Sequence, residues 1–272
     1  MRPATSLQNV LVGATALLFA GAVFSTGRNA NGPVLSAAVS FVSPRSAAAR
    51  PAGESSAAGS DIARVTSEAL SAISGTVRPL SRPEALGNAF RSYFAYKTAH
   101  PDEVRKPYLY FVDYGLPSTE PRGYLFDMDS LRVVDGPFTV AHGRGSSTSK
   151  FGVPTRFSNA SGSNATSLGL YVAQAVYAFH GKSAGHPYQS VGLRLQGVSE
   201  GFNDNAFARR VVAHGAPYVT PDKAGRSEGC PAMEPSRAER LLPKLAGGGM
   251  VFLFAPDENW LSRDHWLGEN AG

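Results

Sequence analysis

Apolar residues along the middle of the chain change their spacing once. From Ser60 onward Ile62, Val65, Ala69, Leu70 and Ile73 recur at helical intervals, and Pro83-Glu84 opens a second helical stretch through Phe90, Tyr93 and Phe94 to Thr98. Beyond residue 100 the period falls to two. Residues 108–114, 124–128, 132–134 and 138–141 are short β-rich runs broken by Gly, Pro and Asp, as consecutive antiparallel strands are; further strands are predicted at 169–172, 191–195 and 211–214. A helix is predicted over 235–245, with Pro235 at its first position, Pro243 set to cut or kink its last turn, and Gly247-Gly248-Gly249 behind it. Residues 250–254 (MVFLF) read as a final buried strand. The fold class is therefore mainly β with a few short helices, preceded by an N-terminal helical segment.

The first sixty residues follow a different pattern. An uncharged apolar run, residues 10–24, follows Arg2 and ends in Ser25-Thr26-Gly27, the layout of an export signal. It is shorter than a membrane span of about twenty residues. Residues 1–26 thus read as a signal peptide or a signal anchor, the latter a membrane tether, and either places the rest of the chain in the periplasm or cell envelope. In residues 27–60, Ala, Ser, Gly and Pro make up 23 of 34 positions, which reads as a flexible linker, with residues 34–42 (VLSAAVSFV) its one apolar exception. The helical segment then covers 61–100 and the principal domain 101–272.

Composition narrows the function classes. A chain of 272 residues that is 43% hydrophobic has enough apolar material for a packed core, so wholesale disorder is excluded. The net charge of +5 invites a nucleic-acid reading, but Arg2, Arg28, Arg45 and Arg50 against Glu54 place +3 of it in the first sixty residues. The remainder is nearly neutral and has no basic cluster with interleaved aromatics, so no nucleic-acid partner is expected. One cysteine excludes an intrachain disulfide and multi-thiolate metal sites. The spacing of His180 and His186 fits no ligand pattern, and no metal or cofactor is expected.

The chemistry concentrates in residues 211–233. A β-type run delivers His214 and then Gly215; fifteen residues later Cys230 sits in the turn-rich stretch 225–231 (GRSEGCP). A free thiol is only a few per cent ionised at neutral pH, so a nucleophilic cysteine needs a base, and a neutral imidazole at His214 is one. An isolated Cys and His are more often core residues than a reacting pair. Here the thiol lies in a polar Gly-rich loop of an exported chain, where it is exposed to oxidation. A papain-like arrangement fits poorly, because there the histidine follows the cysteine.

His214-Gly215 followed by Ser227-Glu228-Gly229-Cys230 resembles the signature of the L,D-transpeptidases, the YkuD-type peptidoglycan enzymes. Residues 140–146 (VAHGRGS), 157–159, 167–169, 193–197 and 201–206 resemble the murein L,D-transpeptidase catalytic domain subgroup. The likeness covers residues 108–255. It implies a YkuD-like β-sandwich of mixed sheets with Cys230 as nucleophile, His214 as its base, and the Gly215 carbonyl orienting the imidazole. It further implies that Ser227 and the Gly229 and Cys230 amides shape an oxyanion pocket and that Arg226 binds a carboxylate. His142 is a further candidate for substrate contact, because a second His-Gly pair stands there at the end of a predicted strand; a structural or surface histidine is the alternative. Better-known members have His before the Gly-Cys pair and Arg or Asn shortly after it, where this chain has Glu228 and Pro231-Ala232. The implied activity is L,D-transpeptidation of peptidoglycan stem peptides through a Cys230 thioester. The amine acceptor would be a second stem, giving 3-3 crosslinks, or a cell-wall protein. With water as acceptor the same site would be an L,D-carboxypeptidase or crosslink hydrolase. A non-catalytic wall-binding scaffold is the alternative of another class, motivated by Glu228, whose carboxylate disfavours a thiolate beside it.

Overall fold

The computed structural model describes residues 52–268; the leader and residues 27–51 of the expected linker lie outside them. In chain order the elements are helices α1 (Ala52–Ile73) and α2 (Ala85–Ala99) and strands β1 (Tyr108–Asp113), β2 (Gly123–Asp127), β3 (Arg132–Phe138), β4 (His142–Gly143), β5 (Gly169–Ser183), β6 (His186–Gly197), β7 (Val212–Gly215), β8 (Val219–Thr220), β9 (Lys223–Ala224), β10 (Arg226–Ser227) and β11 (Ala232–Met233). Helix α3 (Pro235–Leu245), strand β12 (Met250–Phe254) and helix α4 (Glu258–Leu261) follow.

Eight strands form one mixed sheet in the order β11-β7-β6-β5-β12-β1-β2-β3, and two further pairs, β10-β4 and β8-β9, stand beside it. β12 runs parallel to β1, and β11 parallel to β7; the other pairs in the large sheet are antiparallel. Successive strand side chains point to opposite faces, so a strand buried at every position must be covered on both. β12 is such a strand, and α2 packs on it and on β1, while α3 packs on β1, β5, β6 and β7. α3 keeps Pro243 within it and runs on to Leu245, burying Ala238, Leu241, Leu242 and Leu245.

Two sequence readings change. Residues 52–60, expected in the linker, belong to α1. Composition alone suggested flexibility, but alanine is also the strongest helix former. The segment 61–100, set apart from the principal domain in the sequence, packs into it: Ile62, Ala69, Ile73, Leu86, Phe90 and Tyr93 share one core with Phe111, Phe126 and Phe252. A buried carboxylate fastens it there. Asp113, at the end of β1, accepts from the Ser81 amide at 2.7 Å and the Ser81 hydroxyl at 2.6 Å.

The strand expected at 169–172 continues to Ser183 and forms a long hairpin with β6. Its outer half was missed because exposed and half-buried positions alternate there on a polar sequence. Among the described residues no helix is long and apolar enough to cross a membrane.

Candidate active site

The segment carrying Cys230 is threaded between two strands that each carry a histidine. On one side β11 pairs with β7, setting Ala232 beside His214 and Met233 beside Gly215. On the other, Ala141 bridges to Ala232, and β4 pairs with β10 so that His142 lies beside Arg226. Continuing the β11–β7 register back two residues brings Cys230 level with Val212, which lies two residues before His214 and so on the same strand face. The Val212 amide N–H acts on the sulfur, consistent with that register.

His214 is buried, and its ring is fixed on two sides. The Nδ1 atom lies 3.0 Å from the Gly215 carbonyl, and the imidazole stacks on Phe179 at 4.1 Å between centroids. A carbonyl only accepts, so the neutral ring carries its proton on Nδ1 and leaves the Nε2 lone pair free. Burial pushes the pKa of His214 down to about 4, the Gly215 carbonyl opposing part of that. The imidazole is therefore neutral at pH 7, in the tautomer a general base requires. Phe179 reaches it because Gly192, the residue on β6 paired with His214, has no side chain; a Cβ there would meet the Tyr177 ring at 2.9 Å and Phe179 at 3.1 Å.

Cys230 is partly exposed, but its sulfur sits among enough atoms that burial raises its pKa. The Val212 N–H and the Arg209 guanidinium counter that rise, and Glu228 adds the smallest contribution to it. Glu228 itself is exposed and pairs with Arg144 at 3.2 Å. The thiol is thus neutral at rest and depends on a base. Among the described residues no hydrogen bond joins Cys230 to His214. Catalytic hydrogen bonds are often long without ligand and tighten in the complex.

Several expected substrate contacts are engaged elsewhere. Ser227 Oγ donates to the Cys230 carbonyl at 2.6 Å and accepts from the Gly229 amide at 3.2 Å, so both close the turn and do not line an oxyanion pocket. Only the Cys230 amide remains of the expected donors: among the described residues it meets no protein acceptor. Gly229 is needed for the turn, with φ +118° and a Cβ position 2.9 Å from the Ala165 carbonyl oxygen. Arg226 spends one guanidinium nitrogen on the Ser147 and Thr148 carbonyls, at 3.0 and 3.3 Å, which makes it a clamp on that loop. His142 is fully buried and cannot touch substrate in this state. Its Nδ1 accepts from Arg122 at 3.0 Å, so the ring proton lies on Nε2, which is buried without a partner. Burial, then Arg122 and Arg226, push its pKa down to about 3.

Residues that the sequence reading passed over complete the site. Arg122 is wholly buried, donates to the Val140 and Leu116 carbonyls, and lies over the Tyr114 ring at 4.8 Å. Arg209 donates to the Ser158 and Ala165 carbonyls, at 2.7 and 2.8 Å, and sets its charge near the sulfur. Neither stands in a recognisable motif; a cation needed near a thiolate is the only general hint. His180 lies in the outer hairpin opposite Gln189, and His186 opposite Ser183.

A family model described as the L,D-transpeptidase catalytic domain matches residues 79–254. Among solved structures, an L,D-transpeptidase from Mycobacterium smegmatis is similar at 15% identity and a TM-score of 0.32, over 55% of this chain and 59% of that one. An L,D-transpeptidase from Stackebrandtia nassauensis is similar at 14% identity and a TM-score of 0.34, over 63% of this chain and 66% of that one. The LD transpeptidase LdtMt1 in complex with imipenem is similar at 12% identity and 0.33, over 54% and 59%. The matched region thus spans less than two thirds of each of these chains. No curated protein sequence matches.

Proposed function

The chain belongs to the L,D-transpeptidase catalytic domain family, and from that premise we propose that it is a cysteine acyltransferase acting on peptidoglycan stem peptides. The observation that carries the reading is a neutral His214, its Nδ1 proton given to the Gly215 carbonyl, on the strand that β11 joins just after Cys230. His214 Nε2 takes the thiol proton as the sulfur attacks the scissile carbonyl, forming the C–S bond. The Cys230 amide donates to the oxygen that becomes negative. Collapse breaks the C–N bond, and the imidazolium returns its proton to the departing D-amino acid, leaving a thioester. An amine of a second stem, or of a cell-wall protein, then attacks the thioester carbonyl; the C–S bond breaks, His214 passes the amine's proton to the departing sulfur, and a new amide is left, a 3-3 crosslink in the first case. Water in the same place makes the reaction an L,D-carboxypeptidase or crosslink hydrolase, and pocket geometry on the acceptor side decides between them. The apolar run at residues 10–24 supports export to the cell envelope.

The test is Cys230→Ser on defined tetrapeptide muropeptides, followed by mass spectrometry. Loss of D-Ala release and of dimer formation is expected; full retention of either overturns the reading.

A further inference from the structure

A cleft of about 420 Å³ lies next to the thiol segment, lined by Tyr177, Arg194, Leu195, Phe207, Arg210, Val211 and Val212. It adjoins the Cys230 segment through Val212, level with Cys230 in the β11–β7 register, and through Tyr177, which pairs with Gly192, the β6 partner of His214. Its wall holds two arginines and no carboxylate. Among the described residues neither guanidinium has an acidic partner, so both charges are open to an anion that enters the cleft. Arg194 is steadied over the Tyr177 ring at 5.0 Å. Arg210 has φ +57°, a backbone state that costs a non-glycine residue energy. Its neighbour Arg209 turns inward onto the 158–167 segment, so consecutive arginines serve opposite sides of the turn. Phe207 is 51% exposed, an aromatic face left uncovered at the cleft. Two unpaired cations, an aromatic wall and a small aliphatic floor (Leu195, Val211, Val212) fit a peptide end that carries one negative charge and a short side chain.

We propose that this cleft is the subsite for the free α-carboxylate of the peptide that acylates Cys230, with Arg194 and Arg210 as its binding residues. The assignment rests on the acyl-transfer reading only for which peptide arrives. It predicts a requirement for a free C-terminus one residue beyond the scissile carbonyl, so that amidation of that carboxyl removes recognition.

Full-length Cys230→Ala protein is titrated calorimetrically with a tetrapeptide stem and with its C-terminal amide. Hydrogen bonds to a charged group support a preference for the acid of roughly tenfold or more. In the same background Arg194→Gln and Arg210→Asn, the latter keeping a residue that tolerates positive φ, are expected to bring acid and amide within about twofold. Unchanged melting temperatures keep misfolding out of the interpretation. Equal binding of acid and amide by the Cys230→Ala protein overturns the subsite, as does a preference that survives both substitutions. Turnover of the acid by the protein with Cys230 intact is measured alongside. Absence of D-Ala release there, with the binding preference preserved, defeats acyl transfer and leaves the carboxylate subsite standing.

Discussion

Replacing Arg122 by methionine removes the one group that satisfies three acceptors at once: the buried Val140 carbonyl and His142 Nδ1, and the half-buried Leu116 carbonyl. Leaving a buried acceptor unpaired costs about 1–3 kcal/mol, so the two buried ones lose roughly 4 kcal/mol and the half-buried one about 1 kcal/mol more. Burial also penalises the charge itself. The pKa of Arg122 is depressed from 12.5 to about 10, which at about 1.4 kcal/mol per tenfold is about 3 kcal/mol that the neutral methionine does not incur. The net expectation is a loss of about 2 kcal/mol, or about 4–8 °C in melting temperature for a domain of this size. Calorimetric unfolding measures that, and side-chain ¹⁵N spectra of the histidines measure the second consequence. In the parent protein His142 is expected as the neutral Nε2–H tautomer. In the variant that tautomer loses its lock, and the His142 pKa rises because a neighbouring positive charge is gone. An unchanged melting temperature, or a parent His142 protonated on Nδ1, would refute the reasoning.

Gly229→Ala forces an L-residue into φ +118° and puts its Cβ against the Ala165 oxygen; displacing the adjoining Cys230, the proposed nucleophile, by about 1 Å is expected to cost on the order of a hundredfold in kcat/KM, and wild-type turnover on muropeptides would contradict the geometry. Both buried histidines have folded pKa values below the ordinary 6.5, about 4 for His214 and about 3 for His142. Between those values and 6.5 the unfolded chain takes up protons that the folded chain refuses, so stability is full above about pH 6.5 and falls toward pH 4, by about 3 kcal/mol from each imidazole. Denaturant titrations at pH 7 and pH 4 check this, and equal midpoints count against buried neutral rings. For the same reason the acid limb of kcat/KM is expected near pH 4, and a limb near 6.5 would mean that His214 is solvated in the working enzyme.

The strands and helices with strong local signals were legible in the sequence. α3 and β12 begin and end where Pro235, the glycine stop and the MVFLF run place them. What escaped was made by pairing and not by composition: two-residue strands such as β4, β10 and β11 have no periodicity to detect, yet they hold the Cys230 segment. The sequence placed His214 and Cys230 in one stretch, and the structure sets the segments that carry them side by side. The uses of Ser227, Gly229, Arg226 and His142 were not, because each depends on which partner a turn or strand brings within hydrogen-bond distance. Arg122 and Arg209 were invisible for the same reason, since a buried arginine looks in sequence like a solvated one.

The acceptor that orients His214 is a peptide oxygen from the very next residue. Mutational scanning aimed at a third member of a triad should therefore come up empty. No codon change deletes a main-chain oxygen, and it neither titrates in the physiological range nor swings away as a carboxylate does. Variants at Gly215 act only by moving it, since a Cβ there would meet the Ser190 hydroxyl at 2.2 Å. An inhibitor escape route that runs through loosening an orienting acid is closed to this chain.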